Sequence, residues 1–343
     1  MTKKRMFITG GAGFIGSNSA EYFAGKGWKV TVFDNFSRAG SVKNAKFLKS
    51  LKRNIQMVKG DIRHDQRLLD KEIAQTDTVL HLAAQVAVTT SVSYPKEDFE
   101  INALGTLNVL EAVRKSKNKP ALIFASTNKV YGGMEGIRVR QLQSRYAYET
   151  YPFGISEDKP LDFHSPYGCS KGAADQYVRD YSRIYGLKTC VFRQSCVYGP
   201  RQFGVEDQGW VAWFIIAIVT GKPITIYGDG RQVRDILYID DLVKAYELAF
   251  ANRLAMRGEI FNVGGGRKFT ISVWSEFGSV LKDYFGRKID VKFSDWRPGD
   301  QKIYVSDIRK IGKMLGWSPM ISPKVGVEKL CNWVVENKGL FGK

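Results

Sequence analysis

Hydrophobic positions along the first half of the chain follow two alternating rhythms. Short apolar runs of strand character, RMFIT, KVTVFD, IQMVKGD, TVLHLAA, ALIFAST and KTCVFR, are separated by stretches with helical spacing, near 14–26, 98–117 and 167–185. Repetition of β then α predicts an α/β fold, a doubly wound parallel sheet covered by helices on both faces. The second half is less regular. There PITIYG, a helix near 240–250, EIFNVGG and a helix near 272–285 predict a smaller mixed α/β domain. The expected division is 1–190 for the first domain and 191–343 for the second, with part of 232–265 returning to the first.

One segment breaks the rhythm. Between the turn after Tyr131 and the helix near 167 lie about 35 residues with little hydrophobic period, and loops that long are uncommon unless they serve a site. Its first part, IRVRQLQSRYAYETYPF, is rich in arginine and tyrosine. That composition suits contact with an anionic, planar ligand, and equally a surface insertion that packs its own aromatics.

Composition narrows the class. With 343 residues, 44% of them hydrophobic, the chain can bury one large core or two modest ones. The longest apolar run, VAWFIIAIV at 211–219, is far short of the roughly 20 residues of a membrane span. The N-terminus, MTKKRMFITGG, enters a strand and a glycine turn at once, so a cytoplasmic protein is expected. Four cysteines without a C-x-x-C pair and three scattered histidines predict neither a disulfide framework nor a metal site. The net charge of +18 is spread along the chain without a run of five basic residues. It points to a basic surface with a local anion site rather than to a nucleic-acid partner.

Candidate chemistry begins after the first strand, in TGGAGFIG. Gly10, Gly11, Gly13 and Gly16 let the backbone turn tightly and approach a pyrophosphate, whose charge then rests on the N-terminus of the following helix. A second strand ends in Asp34, eighteen residues past Gly16, where a carboxylate can take both ribose hydroxyls. The same carboxylate repels a 2′-phosphate, so the expected cofactor of this Rossmann-type half is NAD and not NADP.

A second constellation is SPYGCSK, in which Tyr167 and Lys171 share one helical face. A tyrosine hydroxyl, with a pKa near 10, becomes a usable base at neutral pH only where positive charge stabilises its phenolate. Lys171 and an oxidised nicotinamide are the expected sources of that charge. The strand ALIFAST delivers Ser126 and Thr127 one helix earlier.

The glycine fingerprint, the strand-end Ser-Thr and the Tyr-x-x-x-Lys, in this order, resemble the extended short-chain dehydrogenase/reductase family, the nucleotide-sugar epimerases and dehydratases. GDIR at 60–63, HLAA at 81–84, VYGPRQ at 197–202, GDGRQVRD at 228–235 and RPGDQ at 297–301 extend the resemblance over nearly the whole chain. It implies a catalytic set of Thr127, Tyr167 and Lys171. It further implies cofactor contacts from Gly10, Gly13, Phe14, Ile15, Gly16, Asp34, Asn35, Asp61, Ile62, Leu82, Ala83 and Ala84, besides Tyr167 and Lys171. Substrate contacts are implied for Gln85, Thr127, Asn128, Arg201, Arg234 and Arg297, the last two as the grip on a diphosphate.

Two departures sharpen the expectation. Where the family's dehydratases carry an acid and a carboxylate after the threonine, this chain has Asn128 and Lys129, which cannot perform the elimination. Oxidation and re-reduction of one carbon remain. Where the common UDP-hexose 4-epimerases have asparagine before Val-Tyr-Gly-Pro, this chain has Cys196. With the arginine-tyrosine insertion and the strings STNKVYG and RQFGVEDQGWVAWF, this resembles the family's 2-epimerases of CDP-linked sugars. Inversion at carbon 2 of a nucleotide-linked hexose through a 2-keto intermediate is therefore expected. UDP-hexose 4-epimerisation, a reductase that consumes NADH, and a non-catalytic NAD- or RNA-binding protein are the competing readings. The resemblance also implies a homodimer or homotetramer, joined through the helices near 98–117 and 167–185.

Overall fold

Six of the strands anticipated from the pattern, and a seventh from the second half, lie side by side in one parallel sheet. They are Arg5–Thr9 (β1), Lys29–Asp34 (β2), Ile55–Lys59 (β3), Thr78–His81 (β4), Ala121–Thr127 (β5), Thr189–Gln194 (β6) and Glu259–Val263 (β7), in the order β7-β6-β5-β4-β1-β2-β3. The computed structural model describes residues 4–297 and 300–342. Register places Ile8 between Val32 and Leu80, and all three are fully buried. Strands covered on both faces need continuous apolar runs, which is what RMFIT and TVLH supply. The order of strands reverses between β1 and β4. In such sheets ligands bind at that switch point, beyond the carboxyl ends of the strands.

Helices cover both faces. Phe14–Gly25 follows β1 and packs on Ala39–Ser50, while Ser165–Tyr185 packs beside Gly105–Lys115. The helix Ser165–Tyr185 has Pro166 in its first turn and stops at Gly186, whose φ of +66° is the left-handed conformation that ends helices. The helix expected near 98–117 starts earlier, at Pro95, and contains a π turn at Glu100–Leu104. That extra residue lets Asn102 reach out of the helix. Its amide donates to Ser170 Oγ and Asp98 Oδ1, both at 3.1 Å, and its oxygen accepts from the Gln85 amide at 3.0 Å.

The second half forms a smaller mixed α/β assembly around Val233–Tyr238, which pairs with Cys196–Tyr198, Thr270–Ser272 and Ile303–Tyr304. The apolar run at 211–219 lies within the helix Trp210–Thr220, packed into the core. Among the described residues no helix is long and apolar enough to cross a membrane. The helix expected near 272–285 begins only at Phe277. Ser272 ends a strand instead, because it and Glu276 exchange hydrogen bonds at 2.9 Å that close the intervening turn.

The arginine-tyrosine segment forms a hairpin, Val139–Gln141 against Tyr146–Tyr148. Tyr146 packs with Val233, Ile303 and Val305, its hydroxyl donates to Asp229 at 2.7 Å, and Arg145 pairs with Glu276. Of the two readings left open by composition, the geometry matches the insertion that packs its own aromatics. It braces the strand that carries Arg234.

Candidate active site

A cavity of about 470 Å³ lies at the carboxyl ends of the strands. Six consecutive strand ends contribute to it: Gly10 after β1, Asp34 on β2, Asp61 after β3, Leu82 after β4, Thr127 on β5 and Gln194 on β6. Every residue expected to touch the cofactor, Gly10, Gly13, Phe14, Ile15, Gly16, Asp34, Asn35, Asp61, Ile62, Leu82, Ala83, Ala84, Tyr167 and Lys171, lines this space.

The glycine turn has the shape of a cradle. Gly10 has a φ of +64°, and a side chain there would meet the Ala83 amide nitrogen at 2.8 Å, so the loops after β1 and β4 can touch only through a glycine. Gly13 caps the helix Phe14–Gly25 without a side-chain bond, and the first turn carries no acidic residue. A Cβ on Gly13 would meet only the Gly10 carbonyl oxygen, at 3.1 Å. The positive end of a helix, through Phe14, Ile15 and Gly16, therefore faces the cavity, the chemistry that a pyrophosphate requires.

Asp34 is held at the other end of this cradle by backbone. Its Oδ2 accepts from the Ala12 amide at 3.0 Å and its Oδ1 from the Phe36 amide at 2.8 Å. Burial pushes its pKa up, and the two amides pull it back. Beyond it, Asn35 donates to Asp61 at 2.9 Å. Against the penalty of burial, hydrogen bonds from Arg63 and Asn35 hold the Asp61 carboxyl well below the usual range.

At the floor of the cavity Thr127, Tyr167 and Lys171 converge from β5 and the helix Ser165–Tyr185. Burial pushes the Tyr167 phenol up to about 12, and the hydrogen bond with Thr127 is the main influence that lowers it. Lys171 is pushed down to about 7 by burial, while Asp175 and Asp98 pull the other way. Its Nζ donates to the Ala125 carbonyl at 2.6 Å and sits 4.1 Å from the centre of the Phe124 ring. Arg38 also stands in the tyrosine's field and favours its phenolate, while Asp98 opposes it. A buried ion pair steadies the helix: Arg193 donates twice to Asp175, each at 2.9 Å, and Asp175 also accepts from Ser126 at 2.7 Å.

The residues expected to touch the substrate are distributed less evenly. Gln85 lines the cavity, but its amide is spent on Asp98 at 2.9 Å and on the Ala87 carbonyl at 2.8 Å. Asn128 touches Thr127, accepting from its hydroxyl at 3.3 Å. Arg234 is buried and donates to Asp300 at 2.8 Å; Arg297 stacks on Tyr227 and pairs with Asp207 at 2.9 Å. Of the expected substrate residues only Gln85 and Thr127 line the cavity; Asn128, Arg234 and Arg297 do not, and neither does Arg201. The Arg201 guanidinium lies over Phe47 and near Trp333 of the C-terminal helix Pro323–Glu336.

Other lining residues had no separate signal in the sequence. Arg38 follows Asp34 in DNFSRAG, stands in the field of both Asp34 and Tyr167, and donates to Gln208 at 2.9 Å. Gln194, Ser195, Gln202 and Gln208 enter from strings noticed only for their resemblance.

Comparison with known proteins defines the class. The family described as GDP-mannose 4,6 dehydratase matches residues 7–330, and the chain belongs to it, within the extended short-chain dehydrogenase/reductases. It is 47% identical over 339 residues to the CDP-paratose 2-epimerase of Salmonella typhi, covering 96% of this chain and 98% of that one. Among solved structures it is similar to the UDP-glucose 4-epimerase of Thermotoga maritima with UDP-glucose, at 33% identity and a TM-score of 0.82, over 97% of this chain and 99% of the other. The UDP-glucuronic acid 4-epimerase of Bacillus cereus, in complex with UDP-glucuronic acid and NAD, is 28% identical with a TM-score of 0.82, over 97% and 99%.

Proposed function

We propose that this enzyme, an NAD-dependent nucleotide-sugar epimerase, inverts carbon 2 of a CDP-linked hexose, in the manner of CDP-paratose to CDP-tyvelose. One observation supports the redox route above others. Thr127, Tyr167 and Lys171 converge at the floor of the cavity, and the turn that follows Thr127 offers an amide and an ammonium where elimination needs carboxyl groups. The choice of carbon 2 and of cytidine is supported by the likeness to the Salmonella enzyme.

When bound in the glycine cradle, NAD supplies a hydride acceptor and donor and, oxidised, a positive charge that favours the Tyr167 phenolate. Tyr167 takes the proton of the carbon-2 hydroxyl and returns it on reduction. Thr127 hydrogen-bonds the same oxygen and holds it against Tyr167. Lys171, anchored on the Ala125 carbonyl, holds the cofactor's ribose and keeps its own charge close to the reacting oxygen. Arg234 and Arg297 retain the diphosphate while the 2-keto sugar presents its other face.

A substrate deuterated at carbon 2 is expected to give product deuterated at carbon 2, with no carbon-bound label acquired from heavy water. Label washed out to solvent sinks the hydride route. The likeness to UDP-glucose 4-epimerase favours a second reading, inversion at carbon 4 of a UDP-hexose, in which the hydrogen of carbon 4 is the one transferred and returned and a carbon-2 label slows nothing. Product analysis with CDP-, UDP- and GDP-sugars separates the two. Exposed Phe99 and Leu104 on one helix, with Tyr177, Ile184 and Tyr185 on another, support assembly as a homodimer or homotetramer, and the enzyme is expected to act in the cytoplasm.

A further inference from the structure

Two residues past Thr127 the chain presents an ammonium group that the redox chemistry does not use. Lys129 stands on the turn Asn128–Tyr131, and its amide donates to Thr127 Oγ1 at 3.2 Å, which fixes its stem beside the reacting pair. The side chain runs toward the strand Val233–Tyr238, into the field of Arg234, Asp300 and Cys196. Arg234 is itself buried and bonded to Asp300 at 2.8 Å. The one carboxylate in this field is thus already paired with Arg234. Among the described residues Lys129 forms no ion pair of its own, so this half-buried corner carries an excess of positive charge. Burial and Arg234 both press the ammonium toward its neutral form, and Asp300 opposes them. An arrangement of this kind is costly without an anion to complete it.

We propose that Lys129 is a positioning and specificity residue that, with Arg234, holds the anomeric phosphate of a sugar reacting at carbon 2. The inference rests on the carbon-2 reading above and adds a reason for it. Carbon 2 is bonded to the anomeric carbon, so its hydroxyl and the phosphate-bearing oxygen are neighbours on the ring. When the carbon-2 oxygen lies between Thr127 and Tyr167, the first phosphate falls beside the turn that begins at Asn128. A sugar reacting at carbon 4 has its anomeric carbon across the ring, and its phosphate points away from that turn. A carboxylate at position 129 repels a phosphate there; an ammonium receives it. Cys196, the neighbour of Lys129 on the strand Cys196–Tyr198, carries no amide to donate to a phosphate oxygen, and Lys129 supplies the missing donor.

The test uses CDP, binding of which reads the phosphate contact without turnover, alongside the CDP-sugar. Lys129→Met is expected to raise the KM of the CDP-sugar and the Kd of CDP by about tenfold or more, the scale of a lost hydrogen bond to a charged group, while kcat changes much less. Lys129→Arg should keep most of the affinity, and Cys196→Asn placed in the Lys129→Met background should recover part of it. NAD affinity and the unfolding midpoint report whether each variant is folded, and Lys129→Gln serves as a second variant if methionine disturbs the turn. Unchanged CDP affinity in a folded variant overturns the inference. A fall in kcat with CDP affinity intact overturns it too, because the ammonium would then act on the sugar and not on the phosphate. Inversion at carbon 4 by the unaltered protein sinks the carbon-2 reading instead; that result is read from the product and not from the Lys129 variants.

Discussion

The two ends of the proposed site, the cofactor cavity and the arginines outside its lining, are built from different materials. On the cofactor side, Asp34 is gripped by the amides of Ala12 and Phe36, and the glycine turn brings the N-terminus of the helix Phe14–Gly25 to the cavity. At the end proposed for the diphosphate, the charges are side chains held by other side chains: Arg234 by Asp300 and Arg297 by Asp207. A backbone site is fixed once the strands pair, and it receives its ligand without rearrangement. Side-chain ion pairs can be exchanged, so a diphosphate bound as proposed would displace the carboxylates that neutralise these arginines. The first end suits a cofactor that stays, and the second a substrate that comes and goes.

The largest effect expected from breaking one end alone falls on the chemistry between them. Tyr167→Phe deletes only the ionisable hydroxyl, so kcat should drop by about 100- to 10,000-fold while NAD titrates nearly as before. A variant that keeps most of its rate would show that another group is the base.

Glycine substitutions sharpen the contrast between shape and contact. Gly10→Ala forces a positive φ and a clash with Ala83, and it should cost about 1–3 kcal/mol in urea unfolding. Gly13→Ala meets only one carbonyl, so most of the stability should survive while NAD affinity falls by about tenfold or more. Equal loss of stability in the two variants would mean that the turn is tight throughout and not open at Gly13.

Removing the acid should expose its neighbour. Asp34→Ala leaves Arg38 without the carboxylate that it faces, and the preference for NAD over NADP is expected to narrow by about tenfold, measured by paired titrations. An unchanged ratio would remove Asp34 from cofactor selection.

The smallest effect concerns the exchangeable end. Asp207→Asn frees Arg297 from a half-exposed pair, worth up to about 1 kcal/mol, so the KM of the nucleotide sugar should fall by at most about fivefold. The gain should shrink with added salt. A higher KM would mean that Asp207 orders the loop more than it competes with phosphate.

Much of the cofactor end was legible before any coordinates, because its signals are local. Apolar runs of strand length, a glycine turn between strand and helix, and an acid at the end of the next strand are short-range features, and all the residues assigned to the cofactor line one cavity. The helix expected near 272–285 begins only at Phe277, since its apolar period continues backward through Ser272 into a strand. Pairing with Val233–Asp235 and the Ser272–Glu276 bonds overrode the local pattern.

What the amino-acid sequence determined alone was the order of elements, the doubly wound sheet and the backbone cradle, since each follows from period and turn chemistry within a few residues. Tertiary structure alone decided the partners of the charges. Arg234 finds Asp300 from 66 residues away, Arg38 enters the cavity beside Asp34 and Tyr167, and Arg201 leaves it for Phe47 and Trp333. Coulomb attraction and burial depend on distance through space and on what excludes water, and neither quantity is written in the spacing of residues along the chain.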